Sequence, residues 1–312
     1  MMDVKVKVYT RDKAPAFNQN RPGVAKVEVY PGTEDGDKII KRCTDLFYGQ
    51  RMEDEAFYER VNGPDKAPMG TVGILFTGGM DSTLLAVRAL REGKHVLPIV
   101  NLFNCDFKQF NLLTAVVWHD LREKYGNLML HPCFCLKNVH CDVVPHYYSG
   151  MFQQPINMFS LGYIPEPTLE NLSSIQAGFV KGDDAIPYIR DMRRLYKSVW
   201  KLSHGVKHPG RESIPFTPLL FPLQDTEKAD IRKELESYGD ERCTFSCEDP
   251  KIDMIAWEDG YGIIRISECC QCHSCSRKKE YEHPFKVMDI GFRHQLPTSV
   301  KTREFEVTQA HS

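Results

Sequence analysis

The 312-residue chain contains no apolar run long enough to cross a bilayer as a helix. It opens on MMDVKVKVYT, where valine alternates with charge, so the apolar core of a signal peptide is missing and a cytoplasmic location is expected. Neither sign of charge dominates, since 40 Lys and Arg stand against 42 Asp and Glu for a formal charge of −2. That balance gives no reason to expect a direct nucleic-acid or membrane partner, and a small-molecule substrate fits better. Two common nucleotide signatures are also missing: no Gly-Lys-Ser/Thr closes a Walker loop, and no G-x-G-x-x-G follows a strand. Cysteine is not scarce, but the eleven present are crowded, in a long chain without a leader. A disulfide framework is therefore disfavoured and metal binding favoured.

What is there begins with TVGILFTGGMDSTLLAVRALR, residues 71–91. Val72, Ile74, Leu75 and Phe76 form a short apolar run ended by a glycine pair, the pattern of a strand covered on both faces in a parallel sheet. Leu84, Val87 and Leu90 then recur at helical spacing, with Asp81 or Ser82 able to cap the start and Gly93 beyond the end. The joint is Thr77-Gly78-Gly79-Met80-Asp81-Ser82. Two glycines let backbone approach a ligand closely, and the helix start behind them presents unpaired N–H groups, which together make an anion site suited to phosphate.

Before this unit, Asp3–Tyr9 and Val24–Tyr30 alternate apolar and polar residues and read as a pair of half-exposed strands. A helical region is expected over 38–61. After the unit, Val96–Val100 reads as a second strand, Phe110–Tyr125 as a helix and Leu128–His131 as a third strand, so the chain is expected to be a doubly wound, mostly parallel α/β sheet. His131, Cys133, Cys135, His140, Cys141 and His146 lack the C-x2-C spacing of a zinc knuckle, and Cys133 and Cys135 suit one face of a strand. Residues 149–202, interrupted by Pro155, Pro165, Pro167 and Pro187, read as loops over the carboxyl ends of the strands.

Near the end, Cys269, Cys272 and Cys275 form C-x2-C-x2-C. Two intervening residues let a turn aim both thiolates at one tetrahedral ion, and Cys247 would close the site as fourth ligand. Cys243, Cys270 and His273 compete for that position, and an iron–sulfur cluster is the other reading.

The strand-[ST]-G-G-M-D-S-helix arrangement resembles the signature of the N-type ATP pyrophosphatases (PP-loop enzymes), which split ATP between its α and β phosphates and adenylate a substrate. Joined to the cysteine knuckle, it resembles the 7-cyano-7-deazaguanine synthase family. Gly178, Asp183, Pro187 and Arg190 match that family's G…D…P-x-x-R element with one residue fewer, Thr217-Pro218-Leu219 and Lys228-Ala229-Asp230 match T-P-L and K-A-[DE], and Thr244–Cys247 matches T-x-[ST]-C. The family's Y-G-Q-R-H is missing after the second strand, where Asn104–Gln109 stands, and its P-G-R-N is at best Gln154–Asn157. The resemblance implies ATP-dependent conversion of 7-carboxy-7-deazaguanine and ammonia to the nitrile through adenylated intermediates, with ATP, Mg²⁺ and Zn²⁺ as cofactors. Alternatives are adenylation of another acceptor, such as a tRNA base or protein carboxylate, and a catalytically inactive nucleotide-binding partner protein.

By the same resemblance, Thr77, Gly78, Gly79, Met80, Asp81, Ser82 and Arg190 hold the nucleotide; Asp81, Ser82, Asp183 and Lys228 carry catalysis; and Cys247, Cys269, Cys272 and Cys275 bind zinc. Along the chain the expected organisation is a strand-and-helix appendage over 1–70, without counterpart in the short family members, an ATP pyrophosphatase domain over 71–242, a zinc-binding segment over 243–285 and a tail over 286–312, with a homodimer as a possible assembly.

Overall fold

The computed structural model describes residues 4–15, 34–48, 67–101, 108–135, 155, 157–164, 166–205, 214–247, 249–258, 261–280 and 284–293. The chain divides into two compact units, one from Met1–Gly49, Lys108–Leu112 and Phe245–Ser312, the other from Gln50–Phe107 and Leu113–Thr244.

The second unit is built on a five-stranded parallel sheet. Its strands are β2 (Thr71–Leu75), β3 (Val96–Asn101), β4 (Cys133–Cys135), β5 (Leu172–Gln176) and β6 (Leu219–Leu220), in the spatial order β4-β3-β2-β5-β6. From β2 the chain steps outward through β3 to β4, and then β5 and β6 add on the other side. Because parallel crossovers are right-handed, this reversal puts helices on both faces and opens a crevice beyond the carboxyl ends of β2 and β5. The fold is thus Rossmann-like. Alternation along β2 follows: Val72 and Ile74 point to one face, while a side chain at Gly73 would meet Ile99, Leu172 and Ile175 on the other at 3.1–3.4 Å. That second face carries a cluster of Leu97, Ile99, Ile175 and Leu219 with Met192, Tyr196 and Trp200.

Those last three belong to α4 (Ile189–Ser203); the longer helices before it are α1 (Glu34–Tyr48), α2 (Met80–Arg91) and α3 (Lys108–Tyr125), and α5 (Lys228–Tyr238) follows. α2 and α5 are clasped by Arg88, whose Nε and Nη2 donate to both oxygens of Glu234 at 2.8 and 2.6 Å. The end of α3 is fixed by Asp240, which accepts from Lys124 Nζ at 2.7 Å and from the Tyr125 hydroxyl at 2.8 Å.

Three sequence expectations change here. The third strand is not at 128–131: Gly126–Leu128 is a 3-10 turn, Met129 makes an isolated bridge to Val96, and pairing resumes at Cys133. Pro132 has no N–H to give the ladder, and the carbonyls of Met129 and Leu130 are taken by Arg122 and Trp118. The stretch 149–202 is not mainly loop, because it contains β5 and the four-turn α4. Pro187 lies in the 3-10 turn Ile186–Tyr188 that leads into α4, where a missing N–H is harmless, so it starts a helix instead of breaking one. Cys133 and Cys135 are buried on the α4 face of the sheet, whereas His140, Cys141 and His146 lie outside the described residues, as do Val24–Tyr30 and 49–61.

The first unit carries a four-stranded antiparallel sheet, ordered β1-β9-β8-β7, of β1 (Val4–Thr10), β7 (Lys251–Glu258), β8 (Tyr261–Ser267) and β9 (Lys286–Arg293). The first strand of the chain thus pairs with a segment that the sequence assigned to the tail. α6 (His273–Glu280) lies between β8 and β9. Among the described residues no helix is long and apolar enough to cross a membrane.

Candidate functional site

The loop between β2 and α2 is held open by its own hydrogen bonds. Ser82 Oγ, on a buried side chain, accepts from the Thr77 N–H at 3.2 Å, donates to the Gly79 carbonyl at 3.2 Å and lies 3.2 Å from Thr77 Oγ1. Gly78 has φ of 73°, a left-handed torsion natural to glycine, and a Cβ there would stand 3.0 Å from the Thr114 Cα of α3. Thr114 Oγ1 donates to the Thr77 carbonyl at 2.9 Å, which ties the start of the loop to α3. Gly79 caps α2 in extended conformation without a side-chain cap, so the helix's first N–H groups point outward with the positive end of its dipole.

A second loop closes on this one from β5. A Cβ on Gly178 would lie 3.0 Å from the carbonyl carbon and Cβ of Asp81 and 3.1 Å from the Ser82 nitrogen. Only glycine lets the two backbones come this near. Asp183 shapes the rest of that loop, its Oδ2 accepting from the Val180 N–H at 2.8 Å. The Lys181 N–H donates to the Thr226 carbonyl at 3.1 Å, tying the loop to the approach of α5. Lys228 opens α5 and forms a half-buried ion pair with Asp81. A cation at a helix N-terminus opposes the dipole, and the Asp81 carboxylate offsets that penalty. Gly78, Gly79, Asp81, Ser82 and Lys228 therefore converge beyond the carboxyl end of β2. Asp183 is one loop away, beside an open concavity of about 500 Å³ lined by Gly182, Asp183, Asp184, Ile186, Pro187 and Tyr188. Arg190 is exposed on the first turn of α4 and takes no part in these hydrogen bonds.

The other constellation is the cysteine cluster. Cys247, Cys269, Cys272 and Cys275 have sulfurs all within 4.8 Å of one another. The Cys247–Cys272 and Cys269–Cys275 separations are both 3.9 Å. A tetrahedral site with Zn–S of about 2.3 Å has S···S edges of about 3.8 Å, so the donor set fits zinc with little adjustment. Backbone N–H groups already point at the sulfurs, from Cys269 to Cys247 at 3.2 Å, from Cys272 to Cys269 at 3.2 Å and from Cys275 to Cys272 at 3.4 Å. Burial raises the Cys269 thiol, but the N–H groups of Gln271 and Cys272 outweigh it and bring it down to about 7; burial pushes Cys247 upward.

The distant ligand arrives through a hairpin. β7 leaves just after Cys247 and β8 returns just before Cys269, with Lys251 opposite Ser267, so the twenty-odd intervening residues run out and back. The competing ligands face elsewhere. Cys270 adopts φ of 63° and takes a 2.6 Å contact from Arg11, Cys243 is buried apart from the cluster with its thiol pushed up to about 12 by burial, and His273 is exposed. Behind the cluster the buried Glu268 pairs with the buried Lys278 and accepts from the Lys286 N–H at 2.9 Å. Neither that pair nor Thr114 has a local sequence signal, because their roles exist only once distant elements meet.

No family model and no curated protein matches the chain. Among solved structures it is similar to a 4-thiouridine synthetase in complex with RNA and bound ATP, at 18% identity and TM-score 0.37 over 56% of this chain and 42% of that one. It is also similar to a predicted subunit of tRNA methyltransferase from Methanocaldococcus jannaschii, at 15% identity and TM-score 0.29 over 54% and 76%. The chain thus spans less than half the length of the synthetase, and likeness of this degree bears on neither substrate nor activity.

Proposed function

We propose that the protein is an ATP-dependent adenylating enzyme of the PP-loop type, working in the cytoplasm, whose substrate is 7-carboxy-7-deazaguanine and whose product, with ammonia as nitrogen donor, is the 7-cyano base. The observation that carries the nucleotide reading is the convergence of an uncapped helix start, the Gly78-Gly79 turn, the Gly178 backbone and the Asp81–Lys228 pair at the reversal of the sheet. The N–H groups of Gly79 through Ser82 suit the pyrophosphate part of ATP, and donors fixed in advance stabilise charge that builds there as the α–β bond breaks. Lys228 neutralises phosphate as a point charge, and the exposed Arg190 fork is suited to the substrate carboxylate. Asp81 and Asp183 are the carboxylates to hold Mg²⁺, which would supply charge neutralisation to the phosphates. Adenylation turns a poor leaving oxygen into AMP, ammonia attacks, and a second activation of the amide oxygen leads to the nitrile. Cys247, Cys269, Cys272 and Cys275 hold a structural zinc, and with no open coordination position it takes no part in the chemistry.

A second reading, adenylation of a different acceptor, is favoured by the absence of the Y-G-Q-R-H and P-G-R-N elements. Purified protein with ATP, 7-carboxy-7-deazaguanine and ammonium, read by mass spectrometry, separates them. AMP with the nitrile supports the first reading. AMP formed only with another acceptor supports the second, and no AMP with any acceptor overturns both.

A further inference from the structure

On α4 the five basic residues Arg190, Arg193, Arg194, Lys197 and Lys201 are all exposed. At 3.6 residues per turn they fall within an arc of roughly 100° and extend along ~17 Å of the helix axis. The helix carries one acid, Asp191, which Arg194 meets at 3.4 Å with both side chains about two-thirds in solvent (68% and 65%). The opposite face is fixed in the sheet core through Ile189, Met192, Tyr196, Val199 and Trp200, which leaves only Leu195 and Leu202 as exposed apolar side chains, too few to seat the helix in a membrane. Two exposed aromatic rings lie near the helix: Tyr188, 48% exposed, directly precedes it in the chain, and Phe216, 46% exposed, packs on Tyr196 and Trp200 at 5.6 Å. Arg193 lies over the Phe221 ring at 5.2 Å.

We infer that this face of α4 binds single-stranded RNA, its cations tracking the phosphates while unpaired bases stack on Tyr188 and Phe216. Aligned like charges repel one another unless a polyanion lies along them, and three of the five are arginines, whose fork matches phosphate oxygens. An acidic protein surface would satisfy the charge but leave the two exposed rings unused, whereas phosphate tracking joined to base stacking is how unpaired strands are held. The formal charge of −2 does not oppose this, because it averages the stripe with an acidic excess elsewhere in the chain. The surface shares Arg190 with the reaction proposed above, and Tyr188 also lines the concavity beside Asp183, so the variants used to test it leave both residues in place.

The test is fluorescence anisotropy of the full chain with a labelled, mixed-sequence single-stranded RNA across a salt series. Replacing Arg194, Lys197 and Lys201 together by Gln should weaken binding at low salt at least about tenfold and flatten the salt slope by about 2, since each phosphate contact contributes about 0.7. Phe216→Ala should weaken binding at unchanged slope. No binding by the parent chain, or an unchanged slope in the triple variant, overturns the inference. Equal binding of DNA of the same sequence or of polyglutamate overturns the assignment to RNA. AMP formation assayed alongside distinguishes a failure here from a failure of the nucleotide reaction.

Discussion

The cysteine cluster and the β2–α2 loop are built from opposite materials. In the cluster four side chains make the site, and the backbone serves by aiming N–H groups at sulfur. In the loop the backbone makes the site, and side chains such as Ser82 and Thr114 serve by holding it open. A side-chain site fails when an atom is removed. A backbone site fails as readily when one is added.

The largest effect should come from Cys272→Ser. Structural zinc sites carry apparent binding free energies of roughly 10–16 kcal/mol in small domains, so losing a ligand should reduce zinc from one per chain toward none and lower the melting temperature of the cluster's unit sharply. Elemental analysis and thermal melts check this, with Cys243→Ser as the control expected to keep its metal. Next is Ser82→Ala, which should reduce AMP formation about 10²–10³-fold, the usual effect of losing one oxyanion-type donor or its support. Its melting temperature should fall modestly, because the Thr77 N–H and the Gly79 carbonyl lose a partner, and a fully active, folded mutant would remove Ser82 from the site.

Gly178→Ala sharpens the contrast, since a single methyl would collide with the Asp81 and Ser82 backbone. It should raise the KM for ATP at least about tenfold, a shift of about 1.4 kcal/mol, while leaving zinc content unchanged. Steady-state kinetics at fixed acceptor tests it, and an unaltered KM would mean that the two loops are not one site. The smallest effect belongs to the Arg88–Glu234 clasp. Its hydrogen bond from Arg88 holds the Glu234 carboxyl below its ordinary 4.5. The stabilisation is therefore present at neutral pH and lost as pH falls through that depressed value. Glu234→Gln should cost about 0.5 kcal/mol, less in high salt, and should flatten the acid limb of the stability profile.

How much could be read in advance follows the same division. β2 and α2 were legible because a buried strand and an amphipathic helix each leave a periodic pattern, and the glycine pair marks the joint between them. The knuckle was legible because C-x2-C spacing is itself geometry. β5 was not, since its Leu-Ser-Ser-Ile-Gln sequence has little apolar content and Ser173 and Ser174 look like loop; Ser173 in fact donates to the Gly70 and Thr71 carbonyls. The β7–β8 hairpin was not anticipated between Cys247 and Cys269, though Ile263, Ile264 and Ile266 already marked a strand. The basic stripe on α4 was hidden by averaging: charges at positions 190, 193, 194, 197 and 201 form a pattern only after the segment is recognised as a helix.

The pairing of β1 with β9 has a consequence for synthesis on the ribosome. Every strand of the parallel sheet has been made once residue 220 is translated, so that layer can assemble while the rest of the chain is still to come. The antiparallel sheet takes its first strand from residues 4–10 and its last from 286–293, and β9 stands between β1 and the β7–β8 hairpin. The earliest segment made must therefore wait for the latest. Until then β1 is an unpaired edge of alternating valine and lysine, and Lys5 and Lys7 are the kind of charge that keeps a waiting edge from recruiting a neighbour's strand.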